Sequence, residues 1–398
     1  MSVKSGRYVA VVFDDLTEFF AIRSDVDALI KEGISIDIYV AQSYSNELRV
    51  DTQKKISQLG YQVKELPGTN RKYKILLEPY PLENNELLDS EFRIKYSYGI
   101  GSAKPDPVFL PERNLPYDAF LLHSKRDAEI RSVYGKTYVI PYSKYKGLKK
   151  EKHQGKPNLL YLPTFGEVSS IDAFNSEAVR SLKKKYNLII KAHHAVQFIP
   201  TEHGHYALIK DMADEFYDSD TPLENLLARA DVVLSDNSGA IFDAIYFEIP
   251  VPVFSNKLND RKLGGINTFQ YELVQEGVIP CATEPEDVVN VLNKAEKLAK
   301  IQQEIKQRYF AVSSEESSSS FASVIKEYLS KDRKKDMYLM SRDILLSEYN
   351  KKTQKISVLE AQLKQLQDQV VMYENSKSWK VTRPLRKIND LISKEKKI

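Results

Sequence analysis

Residues 230–254 read "ADVVLSDNSGAIFDAIYFEIPVPVF". The short apolar run "DVVLS" (231–235) has strand length, and "GAIFDAIYF" (239–247) has helical spacing. Between them stand Ser235, Asp236, Asn237, Ser238 and Gly239. A parallel strand that stops this abruptly places hydroxyls and unpaired backbone N–H groups at its carboxyl end, where such sheets bind ligands. The helix that follows directs its positive end to the same spot. Ser238 and Gly239 are small enough to let a phosphate approach the backbone. The plainer reading makes Asp236 or Asn237 a helix cap. The five residues are therefore candidate phosphate contacts.

The same alternation extends in both directions. Upstream come the strand "NLLYLP" (158–163), the helix 172–186, the strand "NLIIKAH" (187–193), the apolar segment "YALIKD" (206–211) and the helix 222–230; "VPVF" (251–254) is a further strand. The first part of the chain repeats the order, with strands at 8–13, 34–41 and 61–66 and helices at 18–33 and 47–60, each closed by a glycine. Residues 93–107, rich in Gly and Pro, read as a loop, followed by a strand at 117–124, a helix at 126–135 and a strand at 137–142. The basic stretch 144–157 has no apolar period and reads as a hinge. The expectation is an α/β protein with two doubly wound, Rossmann-like domains, 1–148 and 149–330. This is the GT-B layout, although the pattern also admits other paired α/β folds.

The tail differs. Leu345, Tyr349, Lys352, Ile356, Leu359, Leu363, Leu366, Val370 and Tyr373 recur in steps of four and three. That is the seam of a coiled-coil helix, assigned to 331–373, and it predicts self-association or a partner helix. Residues 374–398 mix Trp379, Val381, Leu385 and Ile388 with Arg383, Arg386, Lys387 and further lysines. A lone tryptophan among basic residues suits an anionic membrane surface, with an amphipathic helix after Pro384. Its aliphatic content favours lipid over nucleic acid.

Composition narrows the classes. With 398 residues the chain exceeds one ordinary core. A net charge of +3 makes no case for a nucleic-acid binder. Cys281 is the only cysteine, which excludes an intrachain disulfide and fits a reducing compartment. The first residues read as a strand and not as a signal peptide, and no run reaches the roughly 18 to 20 apolar residues that span a bilayer. The expected location is cytoplasmic and, as the resemblance given next implies, peripheral on the inner face of a bacterial cell membrane.

The ordered set of segments resembles the CDP-glycerol glycerophosphotransferases that build teichoic acids. "ADVVLSDNSG" is similar to the family's acidic-serine strand end, "NLLYLPTF" (158–165) to its "PT" segment, and "LIIKAHH" (188–194) to its "HP" segment. "SYGIGSAKP" (97–105) occupies the place of its histidine-glycine loop, and "SKSWKVTRPLRK" looks like a tail segment of surface-polysaccharide glycosyltransferases. The resemblance implies a GT-B fold and a metal-independent transferase without a cofactor. It implies a CDP-activated or other nucleotide-activated donor and a lipid-linked acceptor. It places His193 at the family's histidine, with Lys191 on the same strand face, and Lys104 at its loop lysine. Tyr98 stands where the family has its loop histidine, and Phe165-Gly166 where it has tryptophan-arginine.

Asp14 and Asp15 end the first strand at the expected cleft edge. Asp14 is a candidate base for an acceptor hydroxyl, and an N-cap is the plainer role. His193, His194, His203 and His205 lie close in sequence, but neighbouring carboxylates lack ligand spacing, so no metal site is expected. Three functions fit: transfer of glycerophosphate or a similar polyol phosphate in teichoic acid or capsule-type polymer synthesis, glycosyl transfer from a nucleotide sugar, and a non-catalytic scaffold of the same fold.

Overall fold

The computed structural model describes residues 8–41, 45–66, 72–82, 88–99, 111–193, 196–218, 221–255, 257–258, 268–310, 320–382 and 384–386. Its first part runs β1 (Tyr8–Phe13), α1 (Leu16–Lys31), β2 (Ser35–Val40), α2 (Asn46–Gln58), β3 (Val63–Lys64), β4 (Tyr73–Glu78), β5 (Ser90–Tyr96), α3 (Pro111–Asn114), β6 (Ala119–Leu122), α4 (Lys125–Arg131) and β7 (Lys136–Val139). The second part runs β8 (Asn158–Leu162), α5 (Ser176–Lys185), β9 (Asn187–Lys191), α6 (His203–Met212), β10 (Glu215–Tyr217), α7 (Leu223–Arg229), β11 (Val232–Ser235), α8 (Ala240–Tyr246), β12 (Val253–Phe254), α9 (Phe269–Gln275), β13 (Cys281–Ala282) and α10 (Val288–Tyr309). Helices α11 (Phe321–Ser330) and α12 (Met337–Asn375) complete the chain.

The strands form two wholly parallel sheets, ordered β3-β2-β1-β4-β5-β6-β7 and β10-β9-β8-β11-β12-β13. Both are Rossmann-like, with the order reversing between β1 and β4 and between β8 and β11. The near-continuous apolar runs of β1, β6, β8 and β11 are buried throughout, apart from Tyr8, because helices cover both faces. Local chemistry sets the helix ends. Asp15 caps α1 by accepting from the backbone N–H groups of Thr17 and Glu18, at 2.6 and 3.2 Å. Gly33 ends the helix at φ +78°, a conformation that suits glycine.

Two expectations change, and one segment acquires its element. Residues 206–211 lie in α6. Ile209 and Met212 are buried one turn apart while Leu208 is exposed, a helical period hidden in a short apolar run. The strand at this place is β10, just downstream. Part of the expected loop 93–107 is strand β5, in which Phe92, Ile94 and Tyr96 alternate with Arg93 and Lys95. Helix α11, grouped by sequence order with the second sheet, returns to the first. Tyr328 packs its ring edge-on against Phe92 at 5.1 Å, and Lys74 donates to the carbonyl of Lys331 at 2.7 Å.

The chain divides into two compact units, residues 1–332 and 333–398. In the second, α12 is one uninterrupted 39-residue helix capped by Asp336. Residues 377–382 and 384–386 are also helical, so the tail helix starts before Pro384 and not after it. Ser376 sets that start, its Oγ accepting from the Trp379 N–H at 3.2 Å. Among the described residues no helix is long and apolar enough to cross a membrane.

Candidate functional site

The two points where strand order reverses open onto one cavity of about 230 Å³. The first sheet contributes Pro79 and Tyr80 beyond β4, Lys95 and Tyr96 at the end of β5, the turn Ser97–Gly99, and Asp127 and Arg131 of α4. The second contributes Pro163 and Thr164 beyond β8, Lys191 at the end of β9 and His193 beyond it, and Ser238 and Gly239 beyond β11. Tyr142 and Lys144, on the connection between the sheets, add to the lining with Asp243 of α8. Lys95, Arg131, Lys144 and Lys191 face two carboxylates, Asp127 and Asp243, so cationic groups outnumber anionic ones.

The five small or polar residues after β11 divide into two sets. Ser235 is buried and donates its hydroxyl to the carbonyl of Leu162 at 2.7 Å. Asp236 is wholly buried. Its carboxylate accepts from the N–H of Thr164 at 2.8 Å and from the N–H and hydroxyl of Ser170, both at 3.0 Å. Burial lifts its pKa to about 6 against the pull of those bonds. Asn237 donates to the carbonyl of Val168 at 3.0 Å and to Ser255 Oγ at 2.8 Å. The expectation that these three side chains contact a ligand is therefore corrected. Their polar groups fasten the loop after β8 to the end of β11, and leaving them unpaired inside the protein is costly. Ser238 and Gly239 alone of the five reach the cavity. Gly239 is the N-cap residue of α8, with no side-chain cap.

Lys191 lines the cavity, and its Nζ donates to the carbonyl of Asp218 at 3.1 Å. His193 follows it, with its ring against that of Phe165 at 4.6 Å. His205 lies elsewhere, held between Glu202 and Asp172 at 2.8 Å each. Asp14 is half-buried just after β1, beside Thr17 and Lys95 of the lining. Its backbone N–H donates to Glu18 Oε2 at 2.6 Å. Burial and the neighbouring charges of Asp15 and Glu78 lift the Asp14 pKa to about 7, with Lys95 opposing. The cap role belongs to Asp15. Lys104, Arg383 and Lys387 lie outside the described residues. In the tail, the Arg386 guanidinium covers the Trp379 indole at 3.6 Å and donates to its carbonyl at 2.6 Å.

Sequence reading missed several lining groups. Lys95 is buried, donates to the carbonyl of Pro79 and lies over the ring of Tyr80 at 4.6 Å. Burial lowers its pKa to about 7, helped by Arg131 and opposed by Glu78 and Glu18. The alternation of "EFRIKY" was the available signal. Both ring nitrogens of His123 face carbonyl oxygens, Ile140 at 3.1 Å and Ser97 at 2.9 Å, which accept from a ring N–H, and the ring so holds the base of the turn that carries Tyr98. Burial lowers its pKa to about 4. Tyr80 and Tyr98 join hydroxyls at 3.0 Å. On the opposite wall, Tyr145 donates to Asp243 at 2.5 Å, and Lys144 lies 3.9 Å from Glu224.

Residues 144–327 match the CDP-glycerol:poly(glycerophosphate) glycerophosphotransferase family, a family of transferases. Among solved structures, a histidine-to-alanine variant of the wall teichoic acid polymerase TagF is 13% identical over 82% of this chain and 90% of its own, with a TM-score of 0.51. A histidine-to-asparagine variant of TagF soaked with CDPG gives the same identity, coverage and score. A UDP-N-acetylglucosamine 2-epimerase from Listeria monocytogenes is 14% identical over 74% of this chain and 90% of its own, with a TM-score of 0.50. These likenesses are of fold, the paired Rossmann-like GT-B arrangement. No curated protein sequence matches the chain.

Proposed function

We propose that this transferase moves glycerophosphate, or a similar polyol phosphate, from a CDP-activated donor to a hydroxyl of a lipid-linked acceptor in teichoic acid or capsule-type polymer synthesis. The observation that carries the reading is the cavity wall built by the family-matched segment, where Lys191, His193, Ser238 and Gly239 converge. In the proposed step the acceptor oxygen forms a bond to the donor's β-phosphorus, the bond to the bridging oxygen breaks, and CMP leaves. The acceptor proton passes to a base on the first-sheet wall. Charge accumulates on the leaving phosphate, and cationic Lys191 with His193 stabilises it more than the ground state. The diphosphate lies against Ser238 and Gly239, whose small size permits close backbone approach. Asp236 and Asn237 act through position, by holding that turn.

The acceptor enters from the first sheet, past Lys95, Arg131 and Tyr98. Segment 374–398 provides the attachment to an anionic membrane surface, with Trp379 at headgroup depth. Tyr98, in place of the family's loop histidine, favours a second reading as a non-catalytic scaffold of the same fold. Thermal shift with CDP, UDP and GDP, followed by release of CMP from CDP-glycerol, separates the readings. Stabilisation by CDP with CMP release supports transfer. Stabilisation by UDP or GDP alone selects a nucleotide-sugar transferase, and no stabilisation selects the scaffold.

A further inference from the structure

Helix α12 carries its apolar seam unpartnered, with Ile356, Leu359, Leu363, Leu366 and Val370 each more than half exposed. The steps of the seam place Tyr349, Ile356, Leu363 and Val370 at heptad position a and Leu345, Lys352, Leu359, Leu366 and Tyr373 at position d. We infer that α12 pairs with α12 of a second copy of this chain as a parallel, in-register, two-stranded coiled coil.

Residue types select the strand number. β-branched Ile356 and Val370 at a, with Leu359 and Leu366 at d, favour two strands over three or four. Lys352 adds to this, because a lysine stem can carry its ammonium out of a two-stranded seam but not out of a wider bundle. Charge selects the orientation. Lys355 occupies a g position and Glu360 the e position five residues on. In a parallel pair each Lys355 meets Glu360 of the other copy, giving two attractive contacts. The antiparallel register that pairs Ile356 with Leu366 instead sets Glu360 against Glu360 of the other copy, and the one that pairs Ile356 with Leu359 sets it against Thr353 with no attraction. The parallel pair also releases both basic segments after Ser376 at the same end, so that two Trp379-bearing tails meet one surface together and bind with a raised effective concentration. The inference is independent of the transferase reading.

The test uses the full chain. Light scattering should give the mass of two chains for wild type. Leu359→Asp with Leu366→Asp should give one chain, while Val358→Asp, off the seam at position c, should keep two. Lys355→Glu should weaken the dimer at least tenfold, and adding Glu360→Lys should restore it. In a Cys281→Ser background, Leu359→Cys should oxidise to a covalent dimer. A single-chain or trimeric wild type, a monomeric Val358→Asp protein, or a charge reversal without restoration overturns the pairing as assigned.

Discussion

The hydroxyl of Tyr142 donates to the carbonyl oxygen of Tyr98 at 2.8 Å, so the connection between the two sheets is fastened to the turn at the tip of the first. Three residues on, Tyr145 is bonded to Asp243 of the second sheet's α8. The segment 142–145 therefore touches both walls of the cavity. Tyr142→Phe should cost about 1 kcal/mol in urea unfolding and leave CDP affinity unchanged, because the donor-side wall is intact. An equal loss of CDP affinity would show that the turn and the donor wall are one unit.

Ser238→Asp and Asp236→Asn should separate ligand contact from scaffold. The first puts a negative charge at the proposed phosphate position and should abolish nucleotide stabilisation in a folded protein. The second removes one acceptor from the bracket around Thr164 and Ser170 and should lower stability by about 1–3 kcal/mol. Calorimetry with and without CDP distinguishes them, and a folded Ser238→Asp protein with full nucleotide affinity places the site elsewhere.

Lys95 lies on the wall opposite Lys191 and Ser238. Lys95→Met should reduce CMP release at least tenfold with donor affinity preserved, since the proposed donor contacts are on the other sheet. Loss of donor affinity in the same proportion as turnover would assign Lys95 to the donor instead.

Asp14 ionises near 3.8 when unfolded and near 7 when folded, chiefly through burial. The native state thus holds a proton that the unfolded chain releases between those values. Its ionised form weighs against folding progressively as pH rises from about 4 to 7. Asp14→Asn removes that opposition. Its stability relative to wild type should be nearly level at pH 4 and gain on the order of 4 kcal/mol by pH 8. Denaturant midpoints across this range measure it, and a pH-independent difference would refute the shift.

A chain ending at Glu374 should lose flotation with anionic vesicles, whereas the full chain should float and release with added salt. Each basic residue near an anionic surface contributes about 1 kcal/mol, and salt screens it. Equal flotation of both would move the attachment to another surface, the basic 144–157 stretch first.

The alternation of strands and helices in "DVVLSDNSGAIFDAIYF" was legible in sequence because apolar period follows directly from which face is buried. So were the two doubly wound parallel sheets, the Asp-Asp cap region and the long helix near the end of the chain. Residues 206–211 were not, since six residues do not separate a strand from two helical turns. Lys95 was hidden in a segment whose Gly-Pro continuation reads as loop.

The sequence by itself determined that a polar turn follows β11 and that a helix starts there, because those are local consequences of residue type. It did not determine which way each polar side chain faces. Ser235, Asp236 and Asn237 turn inward only because the loop after β8 supplies backbone partners from about seventy residues away in sequence. Likewise, Lys95 and Lys191 share one cavity only because two separately closed sheets set their reversal points face to face. Hydrogen-bond satisfaction across distant segments is a property of the packed chain, and it decided which residues of the motif remain available to a ligand.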